Sequence, residues 1–595
     1  MHNPDIPGLS DCKVTTDVNK EEKVMRLKKI VSLLLATVMV IGVTACGKSE
    51  TETAAETPAA KTTEAAEATE SAQAADPLGK YDETVEIDMV VRTNDNIEKN
   101  LLEANGWTWE DNIWTQHYLD QLNVKINWKW IAKGDEEYNT KVNMMLASGD
   151  LPDFFLVNSI QLKQLVDADM VEDLTPYYEQ YAADLTKSIT AESGSAPFAA
   201  AMFDGKLYGI PKIYPSYDRA KFLYVRQDWL DKLGLEVPTT MDELIDVAIA
   251  FSKQDPDGNG IDDTYGFALT KNLIDGGHEI KGFSYGYGAT PDQWIEKDGQ
   301  LVYGGIQPEM KEALAGLQRL YTSGAIDPEF GVKDYEKVTS DFNAGTLGMT
   351  YGEHWVMVNI DKLMHVDEDA EVLCYKLPSI DGSDPTCWMD LGTSQWLVAR
   401  KGTEHPEIAV KMLNLVTETQ YGDLFTTELQ QNSDLSPLFI VREENNLISF
   451  RAMREYFING KPFDEIAWND GNGQKGEEKW LEEDGCALYM TKGDREQYGW
   501  AHIYAPIDGA NMPILEYYIE NDVTKINRFI GAPTETMGEK KATLDEIQVT
   551  AFTKIIQGAD LSEFDKFVED WKKNGGDQIT QEVNEWYAGV ADKNY

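Results

Sequence analysis

The strand pattern that decides the fold begins at residues 85–91, Val-Glu-Ile-Asp-Met-Val-Val, where apolar and polar side chains alternate before a short apolar run. The alternation recurs at residues 124–130, Val-Lys-Ile-Asn-Trp-Lys-Trp, and a fully apolar strand follows at residues 154–157, Phe-Phe-Leu-Val. Helical patterns lie between the strands, at residues 98–122 and 135–148. Strands that alternate with helices predict an α/β fold with a parallel, doubly wound sheet.

Polar side chains follow two of these predicted strands. Arg92, Asn94 and Asp95 come after the first strand, and Asn158 comes directly after the third. Because ligands of doubly wound sheets bind at the carboxyl ends of the strands, we expect these four side chains to contact a ligand.

Further along the chain, helix signals replace the strand pattern. Thr240 and Glu243 form a capping box, since each side chain can accept a hydrogen bond from the other residue's backbone N–H. A second helix is predicted from Pro308 to a stop at Gly324. The residues from about 431 onward are predicted to be mostly helical and to end in two amphipathic helices.

The composition excludes several functions. The 595 residues include 103 acidic and 53 basic side chains, which gives a net charge of −50. Nucleic acids and anionic lipid surfaces require a basic face, so neither is an expected partner. Three cysteines lie within the predicted folded region, at positions 374, 387 and 486. They form no zinc pattern, and either a bridge between Cys374 and Cys387 or three unpaired thiols is compatible with their spacing.

The N-terminal part has the order of an export signal. A basic segment that starts at Met25 precedes the apolar run 30–43, and Thr44-Ala45-Cys46 follows. The run is too short to span a bilayer comfortably. The Val-Thr-Ala-Cys ending resembles the lipobox of bacterial lipoproteins, which implies a lipid on the Cys46 sulfur and an extracellular location on the cell membrane. A plain signal peptide or an uncut anchor is the alternative.

The segments around this signal are predicted to lie outside the fold. Residues 1–45 form a leader and a signal peptide that is removed, and the acidic residues 1–24 suit no export signal, so we interpret them as an artefact of start-codon choice. Residues 46–80 contain almost no large apolar side chain after the cysteine, which predicts a disordered tether.

The order of several motifs resembles a known family. Ala147-Ser148-Gly149-Asp150-Leu151-Pro152-Asp153, then Gly205-Lys206-Leu207-Tyr208-Gly209-Ile210-Pro211, then Asp228-Trp229-Leu230 follow the lipobox and tether. The set resembles the extracellular solute-binding proteins (family 1 type) of ABC importers, in particular the carbohydrate-uptake lipoproteins of Gram-positive bacteria. The resemblance implies a periplasmic-binding-protein-like fold with two doubly wound α/β lobes, a helical C-terminal part and a ligand cleft at the hinge. We expect residues 81–212 plus 378–430 in one lobe, and residues 213–377 plus 431–595 in the other.

The loop 255–266 carries a calcium pattern. Asp255, Asp257 and Asn259 stand at its first, third and fifth positions, Ile261 offers a carbonyl at the seventh, and Asp263 offers a carboxylate at the ninth. The twelfth position is glycine, so this is not an EF-hand loop. It resembles the calcium loop of alginate-binding proteins, although Thr264 replaces the carboxylate that those proteins carry at the tenth position. The alternative is a plain Asp/Asn/Gly turn. We expect a structural Ca²⁺.

Sugar rings stack on aromatic side chains and hydrogen-bond to polar ones. Further candidate ligand contacts, placed where the family has its cleft, are Lys212, Tyr214, Glu353, Trp355, Trp388 and Trp396. A core position is the alternative for each aromatic residue.

Catalysis has little support: the chain has no His-Glu-x-x-His motif, and the Gly-rich stretch 282–288 does not open a helix after a strand, as a nucleophile elbow or a phosphate-binding loop would. We therefore expect a monomeric, lipid-anchored receptor, not an enzyme, that delivers a neutral or weakly acidic oligosaccharide to an ABC permease. The alternatives are a receptor for peptides or another polar solute, a secreted hydrolase or lyase that acts on carbohydrates, and a surface adhesin.

Overall fold

The computed structural model describes residues 75–274, 276–466 and 484–590. The predicted signal, Cys46 and most of the tether lie outside these residues. The strands are β1 (Val85–Thr93), β2 (Val124–Lys133), β3 (Phe154–Val157), β4 (Met202–Phe203), β5 (Lys206–Leu207), β6 (Ile210–Lys212), β7 (Phe222–Arg226), β8 (Tyr265–Phe267), β9 (Trp294–Lys297), β10 (Gln300–Tyr303), β11 (Leu347–Gly352), β12 (Val372–Tyr375), β13 (Cys387–Met389), β14 (Gln395–Ala399) and β15 (Thr524–Ile526).

The α-helices connect and cover these strands. They are α1 (Ile113–Leu122), α2 (Gly134–Ser148), α3 (Ser159–Asp167), α4 (Thr175–Tyr181), α5 (Asp184–Thr190), α6 (Ala196–Ala199), α7 (Gln227–Leu233), α8 (Met241–Lys253), α9 (Lys281–Tyr285), α10 (Pro308–Ser323), α11 (Tyr335–Asn343), α12 (Met357–Ile360), α13 (Lys362–Val366), α14 (Ile408–Tyr421), α15 (Thr427–Gln431), α16 (Asn445–Phe457), α17 (Gly485–Lys492), α18 (Tyr498–Tyr504), α19 (Asn511–Glu520), α20 (Glu535–Ile556), α21 (Ser562–Trp571) and α22 (Asp577–Val590).

The first lobe, here called the N lobe, is built on a five-stranded sheet in the order β2-β1-β3-β14-β6. The strands β2, β1 and β3 are parallel, as the alternation of strands and helices predicts. The strand β14 runs antiparallel to both of its neighbours, β3 and β6, so the sheet is mixed. Phe154 and Phe155 of the central strand are fully buried, which explains the unbroken apolar run of β3.

The second lobe, here called the C lobe, contains a four-stranded sheet in the order β12-β7-β11-β8. Its core includes buried side chains of β7 and β11, the apolar face of α8 and the C-terminal helices α20, α21 and α22. Trp229 and Phe251 meet edge to face at 5.3 Å in this core.

The local predictions hold at several element ends. The α8 helix begins with the predicted capping box: Glu243 N donates to Thr240 Oγ1 at 3.2 Å, and Thr240 N donates to Glu243 Oε2 at 3.0 Å. Gly149 and Gly324 end α2 and α10 with φ of 75° and 82°, a conformation that favours glycine. The predicted helix at 98–122 is instead divided into a π-helical turn, Ile97–Glu103, and α1, because Asn112 forms a capping box and starts a new helix.

Within the described residues the chain passes between the two buried cores three times. The crossings lie between residues 213 and 220, 389 and 396, and 440 and 447. The last two lie about a dozen residues beyond the boundaries expected from the sequence. The strand β13 pairs with β15 and so belongs to the C lobe, while Leu435, Leu438 and Ile440 are buried in the N lobe core.

Cys374, Cys387 and Cys486 are buried free thiols, so the structure has the unpaired arrangement and not a bridge between the first two. None of the helices in the described ranges combines the length and the apolar character that a membrane crossing needs.

Candidate ligand-binding cleft

One edge of the N lobe sheet collects the polar side chains at the strand ends. The parallel strands β1 and β3 end at this edge, next to Arg92 and Asn158. The antiparallel strand β14 starts there at Gln395, and β6 ends there, since Gln395 is the register partner of Lys212. The topology therefore brings the predicted residues Arg92, Asn158 and Lys212 to one sheet edge.

Several polar groups at this edge have partners within the lobe. Arg92 Nη1 donates to Asp135 Oδ2 at 3.0 Å. Asn94 Oδ1 accepts a backbone N–H three residues further on at 2.9 Å. Asp95 is exposed and forms an ion pair with Lys133, which holds the pKa of that carboxyl below its usual value. These contacts order the loop after β1.

Asn158 has a structural task as well. Its Oδ1 accepts the backbone N–H of Gln161 at 2.9 Å, and Gln161 Oε1 accepts the Asn158 N–H at 3.1 Å. The pair is a capping box at the start of α3. The half-buried Asn158 amide is therefore fixed at the sheet edge.

Lys212 and Tyr214 lie together where the chain leaves the N lobe. Lys212 Nζ is 5.8 Å from the centre of the Tyr214 ring, and that ring packs on Phe439 at 5.0 Å. Burial, together with nearby carboxylates, raises the pKa of Tyr214 to about 12, while Arg92 and Arg219 act in the opposite direction. Tyr214 therefore feels the charge of Arg92 in the N lobe and of Arg219 in the segment that leads to the C lobe.

The C lobe presents a buried carboxylate at the corresponding edge of its sheet. Glu353 follows β11 and accepts from Lys221 Nζ at 3.1 Å and from Arg219 Nη1 at 3.3 Å. It also accepts the indole N–H of Trp355. Burial alone would raise the pKa of Glu353, but the two cations lower it below its usual value. With these donors in place, Glu353 orients Trp355 and Arg219.

Trp355 is the aromatic candidate whose position best suits a ligand contact. Its ring is half-buried and meets Tyr335 at 5.6 Å with an angle of 59°. The hydrogen bond to Glu353 fixes the plane of the indole. A fixed aromatic face next to a paired guanidinium can stack on a sugar ring and donate to its hydroxyl groups.

The two remaining candidate tryptophans differ in burial. Trp396 is 2% exposed in the N lobe core, and its Nε1 donates to the Pro197 carbonyl at 2.8 Å. It is a core residue, because strand β14 directs it into the packed interior, and we remove it from the candidate site. Trp388 is half-buried in β13, opposite Lys525 of β15.

A buried ionic network continues from Glu353 into the C lobe. Lys221 Nζ also lies 3.3 Å from Glu279 Oε1. Lys281 Nζ lies 2.7 Å from both Asp390 and Asp292. Lys221 and Lys281 are each 2% exposed. Single charged residues among apolar ones gave no signal of this network, because its members are far apart in the chain.

The crossing segments are joined by Glu443. This carboxylate accepts from the backbone N–H groups of Ser216 and Tyr217 at 2.8 and 3.2 Å, and from Ser193 Oγ at 3.0 Å. Burial raises its pKa to about 7. Gly392 lets a second crossing approach the first, since a Cβ there would overlap the Tyr214 carbonyl oxygen.

The predicted calcium loop has its acidic groups close together. Asn259 Nδ2 donates to Asp257 Oδ2 at 2.6 Å and to Asp263 Oδ1 at 3.2 Å, and Gly260 N donates to Asp255 Oδ2 at 3.1 Å. Burial raises the pKa of Asp257, and Asp255 and Asp263 add to that effect. Three carboxylates and an amide oxygen suit the oxygen preference of Ca²⁺. No group of three or more His, Cys, Asp or Glu side chains in the described residues is arranged as a metal site. Calcium binding therefore stays a prediction.

Two α/β lobes, joined by the crossings seen in the described residues and with polar side chains at their strand ends, form an architecture that is typical of proteins that bind a ligand between two lobes. The sequence profile of the bacterial extracellular solute-binding proteins matches residues 100–423, more than half of the chain. The protein belongs to this family.

Two curated relatives come from Bacillus subtilis (strain 168). Lipoprotein LipO is 25% identical over 491 residues, which cover 78% of this chain and 86% of LipO. The polygalacturonan/rhamnogalacturonan-binding protein YtcQ is 26% identical over 490 residues, which cover 78% of this chain and 85% of YtcQ.

Solved structures share the fold. The alginate-binding protein AlgQ2, crystallised without calcium ion, matches with a TM-score of 0.57 and 17% identity over 86% of this chain and 100% of its own. FusA of S. pneumoniae, an ABC-transporter substrate-binding protein in complex with kestose, matches with a TM-score of 0.55 and 16% identity, also over 86% and 100%.

Proposed function

We propose that this protein is the solute receptor of an ABC importer and that its solute is an oligosaccharide, which it binds without changing it. The family membership and the binding functions for which YtcQ and FusA are named support this proposal.

The observation that carries the proposal is the fixed Trp355 indole at the C lobe edge. Glu353 holds this ring and also holds Arg219 beside it. Arg219 in turn lies within electrostatic reach of Tyr214 at the N lobe edge. An apolar ring face between polar donors and acceptors matches a sugar, which has an apolar face and a fringe of hydroxyl groups.

Calorimetry against oligosaccharides and peptides tests the proposal, with the products checked by mass spectrometry. Removing the stacking ring in Trp355→Ala should weaken oligosaccharide binding by roughly ten-fold or more, about 1–2 kcal/mol. Trp355→Phe keeps an aromatic face but loses the hydrogen bond to Glu353. Its affinity for the oligosaccharide should therefore fall less than that of Trp355→Ala. Binding of peptides alone, or the release of new sugar products, would overturn the proposal.

Anchoring through Cys46 is part of the same proposal. The basic, apolar and Val-Thr-Ala-Cys order carries it, and the lipoprotein relative LipO supports it. Cys46→Ala should abolish incorporation of a labelled fatty acid and release the protein from the membrane fraction. Equal labelling of the variant and the wild-type protein would rule out this anchor.

A further inference from the structure

Lys212 differs from the other cations at the two cleft edges, each of which has a carboxylate partner. Among the described residues, no side chain forms a hydrogen bond or an ion pair with Lys212 Nζ, although the residue is half-buried. The neighbouring pairs are Arg92 with Asp135 at 3.0 Å, Lys133 with Glu98 at 3.1 Å, and Arg219 and Lys221 with Glu353 at 3.3 and 3.1 Å.

The charges that act on this ammonium group are one cation, Arg92, and two carboxylates, Asp434 and Asp135, and neither carboxylate forms an ion pair with Lys212. Asp135 is already paired with Arg92 at 3.0 Å. Asp434 is exposed and attracts Lys212 without reaching ion-pair distance. Burial and the repulsion from Arg92 lower the pKa of Lys212 to about 8. A partly buried cation without a partner is costly, and a bound anion removes that cost.

The position of Lys212 places this charge among the polar strand ends of the N lobe. It is the last residue of β6, on the sheet edge that also carries Asn158 and the end of β1. Its Nζ lies 5.8 Å from the centre of the Tyr214 ring. A sugar ring placed on Tyr214 would hold a substituent of that ring within reach of the ammonium group.

We propose that Lys212 binds a carboxylate of the solute, so that the solute is an oligosaccharide containing a uronic acid. This proposal rests on the proposed function and specifies the class of oligosaccharide. A single ammonium group without an ion-pair partner matches one carboxylate at this position, while the net charge of −50 does not favour a densely anionic polymer at long range.

A matched pair of probes separates charge from sugar recognition: a galacturonic acid trimer and its methyl ester. Wild-type protein should bind the acid at least about ten-fold more tightly than the ester. Lys212→Gln should bring the two affinities together, and Lys212→Arg, which keeps the charge, should preserve most of the difference. Lys125→Gln is the control, because Lys125 is exposed at the opposite end of the same sheet and pairs with Glu86.

Proton uptake is a second readout that a merely structural role would not produce. At about pH 8.5 Lys212 is partly deprotonated, and a nearby carboxylate favours its charged form. Binding of the acid should therefore take up protons, measured by calorimetry in buffers of different ionisation heat. The methyl ester should produce no uptake, and neither should Lys212→Gln.

The remaining outcomes of these binding measurements contradict one proposal or both. An acid-to-ester ratio that is the same in wild type and in a folded Lys212→Gln would overturn the role of Lys212. Tight binding of neutral oligosaccharides such as kestose, with no preference for the acid, would overturn the uronic acid but leave the oligosaccharide receptor intact. Binding of peptides and of no saccharide would overturn both proposals.

Discussion

Lys221 illustrates how one side chain stabilises a wall of the cleft. It is 2% exposed and lies within 3.3 Å of carboxylate oxygens of both Glu353 and Glu279. In Lys221→Met the two glutamates lose this cation, and breaking a buried pair costs about 3–5 kcal/mol. We expect the free energy of unfolding, measured by urea titration, to fall by that amount.

An exposed pair provides the contrast. Arg319 is 49% exposed in its side chain and binds Asp242 and Asp246 at 2.9 and 2.8 Å. Exposed pairs contribute less than about 1 kcal/mol, so Arg319→Ala should change the unfolding free energy little. If Lys221→Met and Arg319→Ala lower the free energy of unfolding by the same amount, burial does not determine the strength of these ion pairs.

The positions of individual candidate residues were predictable only in part. Strand ends indicated Arg92 and Asn158, because the edge at which ligands bind follows from the alternation of strands and helices. The partners of Lys221 could not be predicted, since Glu279 and Glu353 reach it from distant parts of the chain. Trp396 is a candidate by residue type and by its place near the family's cleft, with a core position as the alternative, and its burial depends on packing that a single sequence does not reveal.

At the scale of elements, local chemistry was the most reliable guide. Glycines after α2 and α10 end those helices as expected, and the capping box starts α8 where Thr240 and Glu243 predict it. The order of the strands was harder to predict, because β14 and β6 lie far along the chain from the other strands of the N lobe sheet. The direction of β14, which runs antiparallel to both of its neighbours, depends on how the chain returns from the C lobe.

The loop 255–263 provides a prediction about metal removal. Asp255, Asp257 and Asp263 lie close together, and a bound divalent cation would relieve their mutual repulsion. A cation that binds only the folded state stabilises it by about 2.7 kcal/mol at a hundred-fold excess over its dissociation constant. We expect a calcium chelator to lower the melting temperature, and Asp257→Ala to abolish that response.

Asp262 is the matched control for this loop. It is exposed, lies next to Asp263 and is not a predicted ligand, so Asp262→Ala should keep the response to the chelator. An unchanged melting curve in wild-type protein would identify the loop as a plain Asp/Asn/Gly turn.

For the whole molecule, the sequence indicated two lobes but not where they divide. Residues 378–430 were expected in the N lobe, yet Cys387 and Met389 are buried in the C lobe core. The pairing of β13 with β15 decides this, and it joins residues more than a hundred positions apart. Such pairings leave no local pattern, so lobe boundaries require the tertiary structure.

The crossings predict a closing motion. Lys212 and Tyr214 lie at the N lobe edge, and Trp355 lies at the C lobe edge, while Glu443 joins the segments between them. A ligand that contacts both edges binds a closed arrangement better than an open one and therefore shifts the population toward it. We expect the radius of gyration from X-ray scattering to fall when an oligosaccharide saturates the protein.

Trp355→Ala distinguishes closure from simple occupancy. The variant keeps the N lobe contacts, so it should still bind at high ligand concentration, but the C lobe contributes less to holding the closed state. At matched saturation its radius of gyration should remain larger than that of the wild-type complex. The two lobes are driven together because the ligand binds the closed state better than the open one. If the radius of gyration of the saturated wild-type protein is unchanged, the ligand has no such preference and binds one lobe alone.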